Sequence, residues 1–208
     1  MRTLIAIPCM DMVHTEFMRS CLGMELSGEV QYTFSQASLI YDARNKLAGV
    51  AIREGFDRVL WLDSDMSFDR DLFRRLSEHL DQGKEMVCGV YASRKRPIHP
   101  VIYSGVYLKK GENGDGDNPV AETFWNYPRD GCFEVAACGT GSVMMTTDLL
   151  QRVQRRFGLP FSPILGFGED LSFCMRVHEI GAQIWCDPGV RLGHVGQYIF
   201  TEDDYDTD

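Results

Sequence analysis

The chain has 208 residues, 44% of them hydrophobic and 25% charged, with a formal net charge of −9. That length supports one good-sized core rather than two full domains, and the acidic balance argues against a nucleic-acid binder. Five acids and no base fall in residues 202–208, so much of the excess charge is local and reads as a solvated tail, residues 198–208.

Seven cysteines stand at 9, 21, 88, 132, 138, 174 and 186, an odd number with no C-x-x-C pair. That pattern argues against a disulfide framework and for a reducing, cytoplasmic setting. The first apolar run, residues 4–7, is too short for a signal peptide, and no stretch reaches the 18 residues of a membrane span.

In chain order, residues 4–7 read as a strand, 14–22 as a helix and 30–34 as a second strand. Residues 39–54 form a long helix with Leu39, Ala43, Leu47, Val50 and Ala51 near helical spacing, ended by Gly55. The apolar run 59–62 lacks alternation, as in a strand buried on both faces. A helix over 68–80 and a strand over 86–91 follow. Strands and helices alternating at this rhythm predict a largely parallel sheet with helices on both faces.

The second half changes character. Strands are expected over 101–108 and 132–137, separated by a glycine- and asparagine-rich loop at 109–119. Asn113, Asp115 and Asp117 have a faint calcium-loop spacing, but Asn118 stands where that loop needs glycine, so a surface loop is expected. Helices over 147–157 and 169–179, a short strand at 183–186 and an extended piece at 190–194 complete the chain. The expected architecture is one three-layer α/β/α domain spanning residues 1–197, with a mixed, mainly parallel sheet and a small antiparallel element.

Asp63 and Asp65 follow the buried run 59–62, and their i,i+2 spacing sends both carboxylates the same way. The carboxyl end of such a strand is where open α/β sheets bind ligands. Two carboxylates held together call for a cation or a proton, so a divalent metal holding phosphate competes here with ordinary strand-end acids. Tyr41-Asp42-Ala43-Arg44-Asn45 opens the long helix, where polar groups meet a nucleotide or simply cap the helix. Arg94-Lys95-Arg96 follows the fourth strand and suits either a diphosphate or a solvated loop.

Cys138-Gly139-Thr140-Gly141-Ser142 allows close backbone approach, with hydroxyls for sugar or phosphate oxygens. A tight strand-to-strand turn is the alternative. Gly166-Phe167-Gly168-Glu169-Asp170 puts two acids at a helix start, as caps or as a general base. His194 ends an apolar piece and is flanked by Gly193 and Gly196.

Taken in this order, these segments resemble the nucleotide-sugar-dependent glycosyltransferases of the GT-A fold, the family-2-like group above all. Gly168-Glu169-Asp170-Leu171 with Asp187-Pro188-Gly189 and His194, about a hundred residues after Asp63-Ser64-Asp65, carries most of the likeness. The resemblance implies Asp65 as direct metal ligand, Asp63 as the carboxylate on ribose or on metal-bound water, and His194 as a further ligand. It implies Asp170 as the base for the acceptor hydroxyl, supported by Glu169, and Pro8 and Asp42 beside the base and ribose. The donor would be a nucleotide-diphosphate sugar, with Mn²⁺ or Mg²⁺ as cofactor and an acceptor that the sequence does not identify. Two rivals are a binding module of the same fold without turnover and a sugar-1-phosphate nucleotidyltransferase. The latter lacks its glycine-rich phosphate loop, since Pro8-Cys9-Met10-Asp11 stands after the first strand.

Overall fold

In a computed structural model of the protein, which describes residues 1–94, 96–110 and 117–196, apolar runs without alternation become the central strands. The chain begins with β1 (Arg2–Cys9), α1 (Thr15–Gly23), β2 (Glu29–Gln36), α2 (Ile40–Arg53) and β3 (Arg58–Leu62). It continues through β4 (Met66–Phe68), α3 (Leu72–Asp81), β5 (Met86–Tyr91), β6 (Ile102–Lys110) and β7 (Asp117–Thr123). It closes with β8 (Phe133–Val135), β9 (Ala137–Cys138), β10 (Ser142–Thr146), α4 (Thr147–Phe157), α5 (Glu169–Glu179) and β11 (Ile184–His194).

The main sheet has the order β2-β1-β3-β10-β5-β11-β4, with β8 added to β11, and β7-β6-β9 form a second, antiparallel sheet. In the main sheet β2, β1, β3, β5 and β11 run one way and β10, β4 and β8 the other. The sheet is therefore mixed and mainly parallel, as expected.

Strand periodicity divides the core into two. Leu4, Ala6, Val59, Trp61, Met86, Cys88, Val143 and Met145 face one side, against Leu47 and Ala51 of α2, Leu149 and Val153 of α4 and Phe173 and Val177 of α5. Ile5, Ile7, Leu60, Leu62, Val87 and Met144 face the other, against Phe17 of α1 and Phe73 and Leu76 of α3. Every residue of β3 is buried, which is why that run shows no alternation. No described helix is long and apolar enough to cross a membrane.

Several boundaries differ from expectation. The helix expected at 68 starts at Leu72, because Met66–Phe68 pair with Leu192, Gly193 and His194 at the sheet edge. The strands expected at 183–186 and 190–194 are one strand, β11, which starts at Ile184 and is interrupted by a bulge between Cys186 and Arg191. The segment 132–137 divides into β8 and β9, which join different sheets. β7 and β10 were not anticipated. The first has poor strand formers, and the second is a five-residue run directly before a helix. The loop residues 111–116 and the acidic tail lie outside the described residues.

The β11 bulge is braced from both sides. Asp187, nearly buried, accepts from Arg75 Nη2 at 2.9 Å and from Gly189 N at 2.8 Å, with His79 Nε2 at 3.1 Å. Burial pushes the Asp187 carboxyl up, but the Arg75, Gly189 and His79 contacts outweigh it and hold it below its ordinary range. On the inner side Gly89 of β5 lies flat against the bulge: a Cβ there would sit 2.7 Å from Val190 Cγ1 and 2.8 Å from Val190 O. Gly89→Ala should therefore push β5 from β11 and lower stability by about 1–3 kcal/mol, read as a reduced urea midpoint with unchanged slope. An unchanged midpoint would show that the bulge yields freely.

Candidate functional site

Because β1, β3, β5 and β11 run parallel, their carboxyl ends gather at one edge of the sheet, and the start of α5 reaches the same edge. A cleft of about 670 Å³ there is lined by Pro8, Arg44, Asp63, Asp65, Arg94 and Glu169. A neighbouring cavity of about 660 Å³ shares His14 and Arg94 with it and adds Ala92, Arg96, Ile98 and His194. These are the positions at which open α/β sheets hold ligands.

Arg44 is the centre of the first cleft. Its side chain, only 3% exposed, donates from Nη2 to Asp63 Oδ1 at 2.7 Å and from Nε to Glu169 Oε1 at 3.3 Å. Burial alone would lower its pKa, but Asp63 and Glu169 outweigh burial and raise it. The Asp63 amide donates to Gly141 O at 3.1 Å, so backbone and side chain are both fixed.

Asp65 points into the other half of the cleft. Its Oδ2 lies 2.7 Å from Arg94 Nη1 and 3.6 Å from His194 Nε2. Burial raises the carboxyl, but His194 and Arg94 overcome this and hold it below its ordinary value. His194 Nδ1 lies 2.9 Å from the Ala92 carbonyl and donates to it, which turns Nε2 toward Asp65. That orientation suits a metal-ligating histidine, whose second nitrogen is customarily tied to a carbonyl. Among the described residues no three His, Cys, Asp or Glu side chains group around a metal position. The chain offers a pair, Asp65 and His194, whose oxygen and nitrogen donors would suit a divalent ion only with further ligands from elsewhere.

Asp170 differs from both. The N-cap of α5 is Gly168, so Asp170 is not the cap; its Oδ1 accepts from Leu171 N at 2.7 Å. Burial, reinforced by the neighbouring Glu169 carboxylate, raises its pKa to about 6, against the weaker opposing effects of the Leu171 amide and Arg44. Tyr91 stands close by, its hydroxyl accepting from Gly141 N at 3.2 Å and its ring edge-on to His194 at 5.4 Å.

Some expected residues lie elsewhere. Asp42 is exposed in the first turn of α2 and lines neither cavity. Asn45 turns toward the loop before α5, where its Oδ1 accepts from Phe161 N at 3.0 Å, so it pins that loop. Arg44 faces two carboxylates in place of a nucleotide phosphate. The segment 138–142 is the strand-to-strand turn between β9 and β10; Thr140 and Ser142 are buried there, their hydroxyls without partners among the described residues. A Cβ on Gly141 would lie 2.5 Å from Met66 Cε and 3.0 Å from Tyr91 Cζ, which explains the glycine. Lys95 lies outside the described residues. Tyr91 was not singled out from the sequence; its one signal there is a polar-tipped aromatic ending a buried strand three residues before Arg94.

No protein-family model matches the chain, and no curated protein matches it in sequence. Solved structures do. A197 from STIV aligns over 99% of this chain and 100% of its own, with TM-score 0.61 and 16% identity. GalNAc-T7, in a crystal structure with UDP, GalNAc and Mn²⁺, aligns over 94% of this chain with TM-score 0.60 and 12% identity. The chain spans 44% of the length of that protein's chain. The second neighbour is a glycosyltransferase of the GT-A fold, and the fold seen here is that fold.

Removing the central cation should be costly. Arg44→Met leaves Asp63 and Glu169 partly buried without a partner, and breaking such a pair costs about 3–5 kcal/mol. Urea unfolding should show that loss, with part of it recovered in Arg44→Met/Glu169→Gln. A midpoint within error of the parent protein would refute the central place given to Arg44.

Proposed function

We propose that this protein transfers a sugar from a nucleotide-diphosphate sugar to an acceptor hydroxyl, with Mn²⁺ or Mg²⁺ as cofactor and with inversion at the anomeric carbon. The observation that carries this reading is the division of labour among three aspartates at one edge of the sheet. Asp63 is paired with a buried arginine, Asp65 is held ionised beside Nε2 of His194, and Asp170 is raised to about 6 with no ion-pair partner among the described residues. A structural neighbour crystallised with UDP and Mn²⁺ supports the same chemistry.

In this reading Asp65 and His194 would hold the ion, which when bound would supply Lewis acidity for the charge that develops on the leaving diphosphate. Asp63, immobilised by Arg44, receives the ribose hydroxyls, and Pro8 lies beside the base. Arg94 is 48% exposed and exchanges Asp65 for a diphosphate oxygen, with Arg96 nearby; a planar guanidinium matches phosphate well. Asp170 takes the acceptor's hydroxyl proton as the acceptor oxygen bonds to the anomeric carbon and the carbon–phosphate oxygen bond breaks. Glu169 acts through its neighbours, locking Arg44 and raising Asp170. A base with pKa about 6 is mostly ionised at neutral pH yet more basic than an ordinary carboxylate, which is what proton abstraction needs. Seven free thiols support a reducing, cytoplasmic setting.

A panel of nucleotide sugars with Mn²⁺ tests the reaction class: transfer, or slow release of free sugar, is expected from at least one donor. Asp170→Asn should lower kcat by about 10²–10⁴-fold with donor affinity nearly unchanged. In the parent enzyme kcat/KM should be flat above pH 6 and fall as Asp170 protonates below it, and the mutant should lose that limb. Full activity in Asp170→Asn, or a product with the donor's own anomeric configuration, would overturn the inverting mechanism. Calorimetry of a nucleoside diphosphate with and without Mn²⁺ checks the metal pair. The Mn²⁺-dependent gain in affinity should vanish in Asp65→Ala.

A further inference from the structure

A third cavity, about 380 Å³, is lined by Tyr91, Ala92, Ile98, His99, Trp125, Tyr127, Arg129, Arg191 and Leu192, among others. Ala92, Ile98 and Leu192 also line the cavity that holds His194, so the two are neighbours. Tyr91, its wall toward the sheet, feels the charge of Asp170.

Two features of this cavity point to a ligand. The first is an aromatic platform that folding does not consume. Trp125 is 53% exposed, and its ring stands edge-on to His99 at 6.3 Å. It is carried by a loop fastened from below, where Phe124 and Tyr127 both pack on Phe133 with centroids 5.7 and 5.9 Å apart. An exposed indole on a fixed support presents a flat apolar face to water, and such faces stack on ring-shaped ligands.

The second is cationic. Arg44 and Arg94 of the main cleft are each bound to carboxylates. Among the described residues Arg129 and Arg191 pair with none. Arg129 lies over the Tyr127 ring at 4.0 Å, and Arg191 Nε donates to Pro188 O at 3.3 Å. Two guanidiniums without acids, converging on one aromatic cavity in a chain of net charge −9, leave their planar donor forks for an external anion.

The geometry points to an acceptor subsite for an anionic sugar: a pyranose ring stacked on Trp125, its carboxylate, sulfate or phosphate substituent held by Arg129 and Arg191. This deepens the transferase reading and rests on it for the word acceptor. The binding itself does not depend on turnover.

The test is calorimetry on the full chain with methyl β-glucuronide, glucose 6-sulfate and glucose 6-phosphate, against methyl β-glucoside as the neutral control. At least one anionic sugar should bind about 10–100-fold more tightly than the glucoside. The three anionic arms identify which substituent is preferred. Arg129→Gln/Arg191→Gln should abolish the preference, Trp125→Ala should weaken all the sugars, and Trp125→Phe should restore part of the loss. All these positions are exposed, and titration of a nucleoside diphosphate with Mn²⁺ should be the same in every variant. Equal binding of charged and neutral sugars, no binding, or a preference that survives these substitutions would overturn the subsite. Failure of the transferase reading looks different: no turnover with any donor, while the anionic preference and its dependence on Trp125 persist.

Discussion

The buried guanidinium of Arg44 is the interaction on which the candidate site depends. It joins α2 to the end of β3 and to the start of α5, so residues 44, 63 and 169 meet across 125 positions of chain. Without a cation there, Asp63, Glu169 and Asp170 would present three carboxylates to one another in a partly buried cleft, and the fold would open or take up protons to relieve them. Lysine is a poor substitute in principle: one ammonium lacks the fork needed to reach two carboxylates from fixed directions. The same contact explains why Asp170 remains basic. Arg44 is already committed to Asp63 and Glu169, so it offsets the repulsion on Asp170 only in part, and burial keeps that carboxyl near 6.

A second constraint sets the other half of the site. β11 must pair with β5 in two stretches of different register and still deliver His194 beside Asp65. The bulge at 187–190 absorbs the mismatch, and Asp187 fastens it to α3 through Arg75 and His79. Beyond the bulge, β4 pairs with the last residues of β11, and the Val195 amide donates to Asp65 O at 2.8 Å. The histidine therefore owes its position to sheet pairing along the whole of β11, and a disturbance at Gly89 or Asp187 reaches Asp65 and His194 through that strand.

How much of this was legible in the sequence follows from which interactions are local. The β/α alternation up to Tyr91 and the helix at Glu169–Glu179 were readable because buried runs and apolar stripes report on their own surroundings. β4 and β7 were not, since each is a strand only because a distant partner, Leu192–His194 or β6, supplies its hydrogen bonds. At the site, Asp63, Asp65, Asp170 and His194 could be chosen from spacing and resemblance, and the structure brings them to one edge of the sheet. The fate of Arg44 and Asn45 could not. Adjacent on a helix they diverge by about 100°, one into the cleft and one toward Phe161, and spacing alone does not say which. Tyr91 and Trp125 were invisible for a related reason: an aromatic in a strand or loop looks the same whether it fills a core or faces a cavity.

The two halves of the chain meet at Tyr91. The proposed donor side is built from strand ends and helix starts within the main sheet, where a shift of one residue would reverse side-chain direction and break the core. The proposed acceptor side is built from the segments around His99 and Trp125, which link the two sheets; Phe124 and Tyr127 pack on the core, while Trp125 itself stays exposed. Loops of that kind change residue identity at low cost in stability. Asp65 and Asp170 are thus held by the scaffold, whereas the proposed acceptor subsite lies on a surface that can vary independently. Tyr91 couples them physically, because one side chain bonds to the Gly141 amide, packs on His194 and lines the aromatic cavity.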